Sequence, residues 1–94
     1  MKKLIILTSC IFVFTLSKGQ DFKYYNNLAD ICFSKADYIC AINNYIKALN
    51  LIDSLHPKRY QILSNLGTAQ RRIDNDNDAL ISYNKALKLK PNDV

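Results

Sequence analysis

The sequence contains no glutamate and no tryptophan, and it has two glycines, two prolines and one histidine among 94 residues. Because glutamate is missing and His56 stands before a proline, no pair of side chains is placed for general acid–base catalysis. Gly67 is the only glycine after residue 19, which excludes a glycine-rich phosphate loop. Neither a Cys-x-x-Cys motif nor a Cys/His cluster is present. We therefore expect no catalysis, no cofactor and no metal.

The composition predicts one small folded domain with a mixed surface. Hydrophobic residues make up 49% of the chain, and the few glycines favour a helical fold over disorder. The net charge is +5, but Lys2, Lys3 and Lys18 lie in or beside an N-terminal apolar segment. From Gln20 onward, ten lysines and arginines face eight aspartates, which leaves +2. This balance gives no reason to expect nucleic-acid binding.

The N-terminus has the layout of a secretory signal peptide. Residues 2–3 are basic, Leu4–Leu16 form an apolar run, and the small residues Ser17 and Gly19 precede a cleavage point before Gln20. Removal of this segment predicts an exported protein, in a bacterial periplasm or secreted.

The N-terminal segment allows two alternatives to cleavage before Gln20. A retained anchor would make the protein membrane-bound, although a spanning helix needs roughly 20 apolar residues. Residues 7–10 end in Cys10 and resemble a lipoprotein processing box, but the apolar run continues beyond that cysteine. We prefer the cleaved signal peptide.

An internal repeat organises the rest of the chain. Residues 41–51 align with residues 79–89 at a constant offset of 38, and residues 22–32 align with residues 60–70 at the same offset. Each segment carries apolar residues at helical spacing. The identical pairs are Ala41/Ala79, Tyr45/Tyr83, Lys47/Lys85, Ala48/Ala86, Leu49/Leu87 and Leu51/Leu89.

Residues typical of helix ends separate the four predicted helices. Asp21 and Asp37 are expected to cap the first and second helices, and residues 56–57 (His-Pro) precede the third. Residues 74–77 are expected to separate the third helix from the fourth, which Pro91 ends. Within each predicted hairpin, small residues are expected where the two helices approach most closely, and a tyrosine follows one turn later. These are Ala29 against Ala41 beside Tyr45, and Gly67 against Ala79 beside Tyr83.

This pattern resembles the tetratricopeptide repeat family. The resemblance is strongest over residues 60–93, where Asn65-Leu66-Gly67, Ala79, Tyr83, Ala86 and Pro91 occupy signature positions. Three positions depart from the pattern, since Gln70 replaces an aromatic, Asp74 the turn glycine and Asp53 the closing proline. The resemblance implies an all-α fold of two tandem helix-turn-helix hairpins, the start of an α-solenoid. We divide the chain into a signal peptide (1–19) and a repeat domain (20–94), with repeats at about 22–55 and 60–93.

The resemblance also implies a binding surface on the first helix of each hairpin. The function expected from it is an exported module that binds another protein or a peptide. The candidate groove residues are Lys23, Asn26, Asp30, Phe33, Ser34, Gln61, Ser64, Thr68, Arg71 and Arg72.

Arg71 and Arg72 allow two interpretations. They can receive a carboxylate of a partner peptide, or they can be solvated near Asp74 or Asp76. We prefer the second, because surface arginines commonly are solvated.

Alternating aspartates at positions 74, 76 and 78 resemble a calcium loop. Ala79 and Lys85 stand where that loop requires Gly and Glu, so we interpret the aspartates as helix caps in a solvated turn.

Cys32 and Cys40 are interpreted as two free, packed cysteines, because the repeat places them on different helices. A disulfide is the alternative.

The fourth helix is expected to leave an apolar edge, including Ala86 and Leu87, without a cover. Self-association, a docked partner, or a longer protein would each cover it. In the last case the chain would be the sensor part of a larger signalling or regulatory protein.

Overall fold

The computed structural model describes residues 22–89, which form four consecutive α-helices. Helix α1 spans residues 22–34, α2 spans Tyr38–Leu51, α3 spans Arg59–Arg72 and α4 spans Asp76–Leu89. Helix α3 packs against both α2 and α4. The predicted all-α fold of two helix-turn-helix hairpins is confirmed. The residues of the predicted signal peptide, Asp21 and Pro91 lie outside the described residues. No described helix is long and apolar enough to span a membrane.

Both hairpins close through the same three-residue turn. Ala36 and Asp74, which are related by the repeat, adopt left-handed φ values of 61° and 63°. The residue after each donates its N–H to the carbonyl five residues earlier, at 2.9 Å in both hairpins. Helix α4 already begins at Asp76, so the predicted separator at residues 74–77 was placed too far along the chain. The left-handed residue Asp74 turns the chain so sharply that α4 begins two residues later, and a four-residue separator does not fit between α3 and α4.

The helix ends show which predicted caps form. The Asp37 carboxylate accepts the backbone N–H of Cys40 at 3.3 Å, which confirms that cap. In the loop before α3, His56 Nδ1 accepts the N–H of Lys58 at 3.1 Å. The Arg59 guanidinium donates to the Leu49 carbonyl at 3.0 Å and so ties the start of α3 to the end of α2.

Small residues at the helix contacts set how closely the helices pack. Ala29, Ala41, Ala48 and Ala69 are fully buried in one apolar cluster. Such contacts let helix backbones approach, and larger side chains fill the space beside them. In the second hairpin, a Cβ atom on Gly67 would lie 3.0 Å from the Tyr83 ring and 3.2 Å from the Ala79 carbonyl oxygen. The predicted close approach of residue 67 to residue 79 is confirmed. The larger side chains of the cluster are Phe22, Tyr45, Ile52, Ile62 and Leu66.

A disulfide joins Cys32 to Cys40, so the preferred interpretation of two free cysteines is wrong. The two Cα atoms are 5.8 Å apart, within the range that a disulfide bridges. The turn through Ala36 brings the last turn of α1 beside the first turn of α2, which places both thiols at the same end of the hairpin. The repeat register alone does not show this proximity, because it assigns residues to faces without fixing the turn.

Candidate binding groove

An open pocket of about 350 Å³ lies between α1 and α3, with a tyrosine of α2 at its base. Six side chains line it, and four of them were predicted as groove residues. The first helix of each hairpin contributes to the pocket, as the resemblance implied. The lining residues are Asp30, Phe33, Ser34 and Thr68, which were predicted, and Tyr45 and Asn65, which were not.

Tyr45 connects the core to the pocket. Its side chain is 2% exposed, and its hydroxyl donates to Asp30 Oδ1 at 2.5 Å. Burial of the phenol, its hydrogen bond to Asp30 and the Asp30 charge raise the pKa of Tyr45 far above its usual value, and Asn65 acts in the opposite direction. Because the Asp30 side chain is exposed, the pocket presents a carboxylate held in place by a buried tyrosine.

The second hairpin repeats this arrangement with neutral groups. The hydroxyls of Thr68 and Tyr83 are 2.8 Å apart, and these residues correspond to Asp30 and Tyr45 at the offset of 38. The Thr68 hydroxyl also donates to the Ser64 carbonyl at 3.1 Å. A threonine hydroxyl has only one proton to donate, so with this bond formed Tyr83 is the donor to Thr68. A tyrosine of the second helix thus holds the equivalent first-helix side chain in each hairpin, Asp30 in the first and Thr68 in the second.

Arg72 reaches from the second hairpin to the first. Its guanidinium lies over the rings of Phe33 and Tyr38, at 5.8 and 5.7 Å from their centroids. It also donates to the Tyr38 hydroxyl at 3.2 Å. Arg72 is exposed, as the preferred interpretation of a solvated arginine expects, but its contacts are with Phe33 and Tyr38 of the first hairpin. Cation–π contacts with two rings hold the guanidinium beside the pocket.

The other predicted groove residues lie outside the pocket lining. Lys23, Gln61 and Arg71 are exposed, whereas Asn26 and Ser64 are half-buried. The Oδ1 atom of Asn26 is buried and has no hydrogen-bond donor among the described residues. A partner-binding role for these five residues stays a prediction.

Tyr45 and Asn65 were missed for different reasons. The helical register of Tyr45 places it in the core, and its hydroxyl bonds to Asp30 in the pocket lining. Asn65 also lines the pocket, and it was missed because it directly precedes the core residue Leu66 on α3. A signal for Tyr45 is present in the sequence, because Tyr83 repeats it at the offset of 38. In the structure, Tyr83 contacts Thr68 as Tyr45 contacts Asp30.

Two side chains with catalytic or metal-binding potential, His56 and Asp78, have structural partners. His56 accepts a backbone N–H and packs edge-on against Phe22, with ring centroids 5.0 Å apart. At the start of α4, the Asn75 amide donates to the Asp78 carboxylate at 2.8 Å. Within residues 22–89, no group of three or more His, Cys, Asp or Glu residues can hold a metal ion.

Two stacked helical hairpins with a polar groove along their first helices define a helical-repeat protein of the solenoid class. The family model for the tetratricopeptide repeat matches residues 21–92 of the chain. The chain therefore belongs to the tetratricopeptide repeat family, and this membership indicates a protein–protein interaction module. Repeats of this family typically act as non-catalytic scaffolds. No curated protein and no solved structure gives a significant match.

Proposed function

We propose that the protein is an exported, non-catalytic interaction module that binds a peptide segment of a partner protein in the groove between α1 and α3. The observation that carries the proposal is the pocket of about 350 Å³, which both hairpins line with polar side chains around the rings of Phe33 and Tyr45. A few convergent polar groups in a concave site are what orients a ligand.

The chemistry of the groove favours a segment with both charged and apolar groups. Asp30 presents a carboxylate, and Arg72 presents a guanidinium stacked on Phe33. A peptide donor group would bind Asp30, and an acidic side chain would bind Arg72 through charge-assisted hydrogen bonds. Phe33 between them offers a surface for an apolar side chain.

Peptide selection with a matched pair of variants tests the binding part of the proposal. Peptides chosen by the wild-type protein from a random library would be measured against Ser34→Arg, which fills the pocket. The control is Asn43→Arg, at an exposed position of α2. We expect Ser34→Arg to weaken binding about tenfold or more, which corresponds to ~1.4 kcal/mol, and Asn43→Arg to leave it unchanged. Equal affinity for both variants would show that the groove is not the binding surface.

Export is tested separately by the intact mass of the chain in each cell fraction. The proposal expects a chain that begins at Gln20 outside the cytoplasm. The full-length mass recovered from membranes would instead select the anchored form.

A further inference from the structure

An apolar face of α4 has no cover among the described residues. Leu80 and Leu87 are 60% and 66% exposed, whereas Ala86 is buried, so the prediction that Ala86 lies on the uncovered edge is wrong. Their repeat equivalents on α2 are Ile42 and Leu49, which are partly buried against the core cluster to which α3 contributes Ile62, Leu66 and Ala69. Leu80 and Leu87, the α4 face, therefore correspond to one half of the α2–α3 interface.

Helix α1 carries the other half of the same interface. On α3, Ile62 and Ala69 are buried in the core cluster that includes α2. Their repeat equivalents on α1 are Tyr24 and Ile31, which are 60% and 52% exposed. Tyr24 and Ile31 form the α1 face, which no described residue covers.

We propose that the α4 face of one molecule is covered by the α1 face of a second copy, in a head-to-tail contact that continues the stacking of α2 on α3. The contact has the register of an interface that already exists inside the molecule. Because the two faces differ, the contact is heterologous, and each added copy leaves one α1 face and one α4 face free. The predicted assembly is therefore an open series of copies.

Charges support the same register. In the pocket between the two hairpins, Phe33 and Ser34 lie opposite Thr68. In the proposed contact, Arg71 of the first copy takes the position that Phe33 has inside one molecule. Asp30 of the second copy takes the position that Thr68 has there. Arg71 is exposed, so an attraction between opposite charges would fix the orientation of the two copies.

The test uses the whole chain as cells produce it, with its mass in solution measured over a range of concentrations. The α4 variant carries Leu80→Lys and Leu87→Lys, and the α1 variant carries Tyr24→Lys and Ile31→Lys. We expect the mass of the wild-type protein to rise with concentration, and each variant alone to remain a monomer. An equal mixture of the two variants should form a one-to-one dimer, because each retains the face that the other has lost. Recovery of this dimer also shows that both variants fold.

The matched controls are Ile39→Lys and Ile81→Lys, two exposed apolar residues whose repeat equivalents are asparagines. Both should assemble as the wild-type protein does. A wild-type monomer at every concentration would overturn the proposal and would indicate another cover, such as residues 4–16 of the same chain. Assembly that needs the α4 face but survives the α1 substitutions would show a symmetric contact. A mixture of variants that stays monomeric would also contradict the head-to-tail contact.

Discussion

In the first hairpin a disulfide between Cys32 and Cys40 joins α1 to α2, whereas the second hairpin has Gln70 and Asp78 at the corresponding positions. There, Gln70 accepts a buried hydrogen bond of 2.7 Å from Ser82 on the facing helix. The turns of the two hairpins nevertheless have equivalent backbone hydrogen bonds, and each has a left-handed residue at the same repeat position. The turn and the small residues at the helix contact therefore set the hairpin geometry, and the chemistry of the cross-link varies.

The tyrosine contacts differ in the same way. Tyr45 donates to a carboxylate in the first hairpin, and Tyr83 bonds to a hydroxyl in the second. Hydrogen bonds to charged groups contribute more to stability than neutral ones. The first hairpin thus has the stronger links, whereas the second relies on the closer packing at Gly67.

Gly67→Val should have the largest effect on this comparison. A Cβ at residue 67 already meets the Tyr83 ring at 3.0 Å and a backbone oxygen at 3.2 Å, and valine adds two methyl groups. We expect the free energy of unfolding to fall by about 3 kcal/mol in urea titrations. Asn43→Val, at an exposed site on α2, controls for the helix propensity of valine. An unchanged unfolding midpoint for Gly67→Val would show that the second hairpin is not closely packed there.

Replacement of Cys32 and Cys40 by alanine should have the next largest effect. Their loop is short, with a sequence separation of 8. The chain-entropy relation then predicts a loss of about 2–3 kcal/mol. Thermal unfolding with and without a reductant checks this, because the reductant should lower the Tm of the wild-type protein and leave the double variant unchanged. A wild-type Tm that ignores the reductant would mean that the first hairpin does not depend on the disulfide.

Tyr45→Phe and Tyr83→Phe compare the charged and the neutral bond directly. Loss of the bond to Asp30 should cost roughly 2 kcal/mol, and loss of the bond to Thr68 should cost roughly 1 kcal/mol. Urea titrations of the two variants at neutral pH give the difference. Equal costs would indicate that the Asp30 charge adds nothing to the first hairpin.

Alkaline unfolding sharpens the same comparison. The pKa of Tyr45 is raised in the folded protein, because burial and Asp30 both oppose ionisation of its phenol. The unfolded chain then loses this proton at lower pH than the folded one, so the contribution of Tyr45 to stability is complete below pH 10, its ordinary pKa. That contribution decreases as the pH rises above 10. Tyr45→Phe should show a shallower loss of stability than the wild-type protein as the pH rises above 10. An identical slope would contradict the assignment to Tyr45.

The fold was predictable because the repeat supplied two copies of the helix contact within a hairpin. The alanines and Gly67 occur at the same register in both hairpins, which predicted the close approaches that the structure confirms. The cap at Asp37 is a local interaction and was predicted from neighbouring residues.

The site was predictable only in part, because its remaining contacts depend on distances in space. The disulfide requires the particular turn at Ala36, which the helical register does not specify. Arg72 meets Tyr38, a residue 34 positions away, because a long side chain crosses between hairpins. Asn65 enters the pocket from the third helix only once α3 is placed beside α1. None of these contacts follows from sequence spacing.

Ala36→Gly should have the smallest effect and the opposite sign. Ala36 has a φ of 61°, a conformation that costs an alanine roughly 1–2 kcal/mol and a glycine almost nothing. Glycine also increases the entropy of the unfolded chain, which offsets part of this gain. We expect Ala36→Gly to stabilise the protein by about 0.5–1 kcal/mol in urea titrations. Asp74→Gly, at the equivalent turn, should gain less, because aspartate tolerates the left-handed region better than alanine does. If both substitutions lowered stability, the side chains at these turns would contribute contacts that outweigh the backbone conformation.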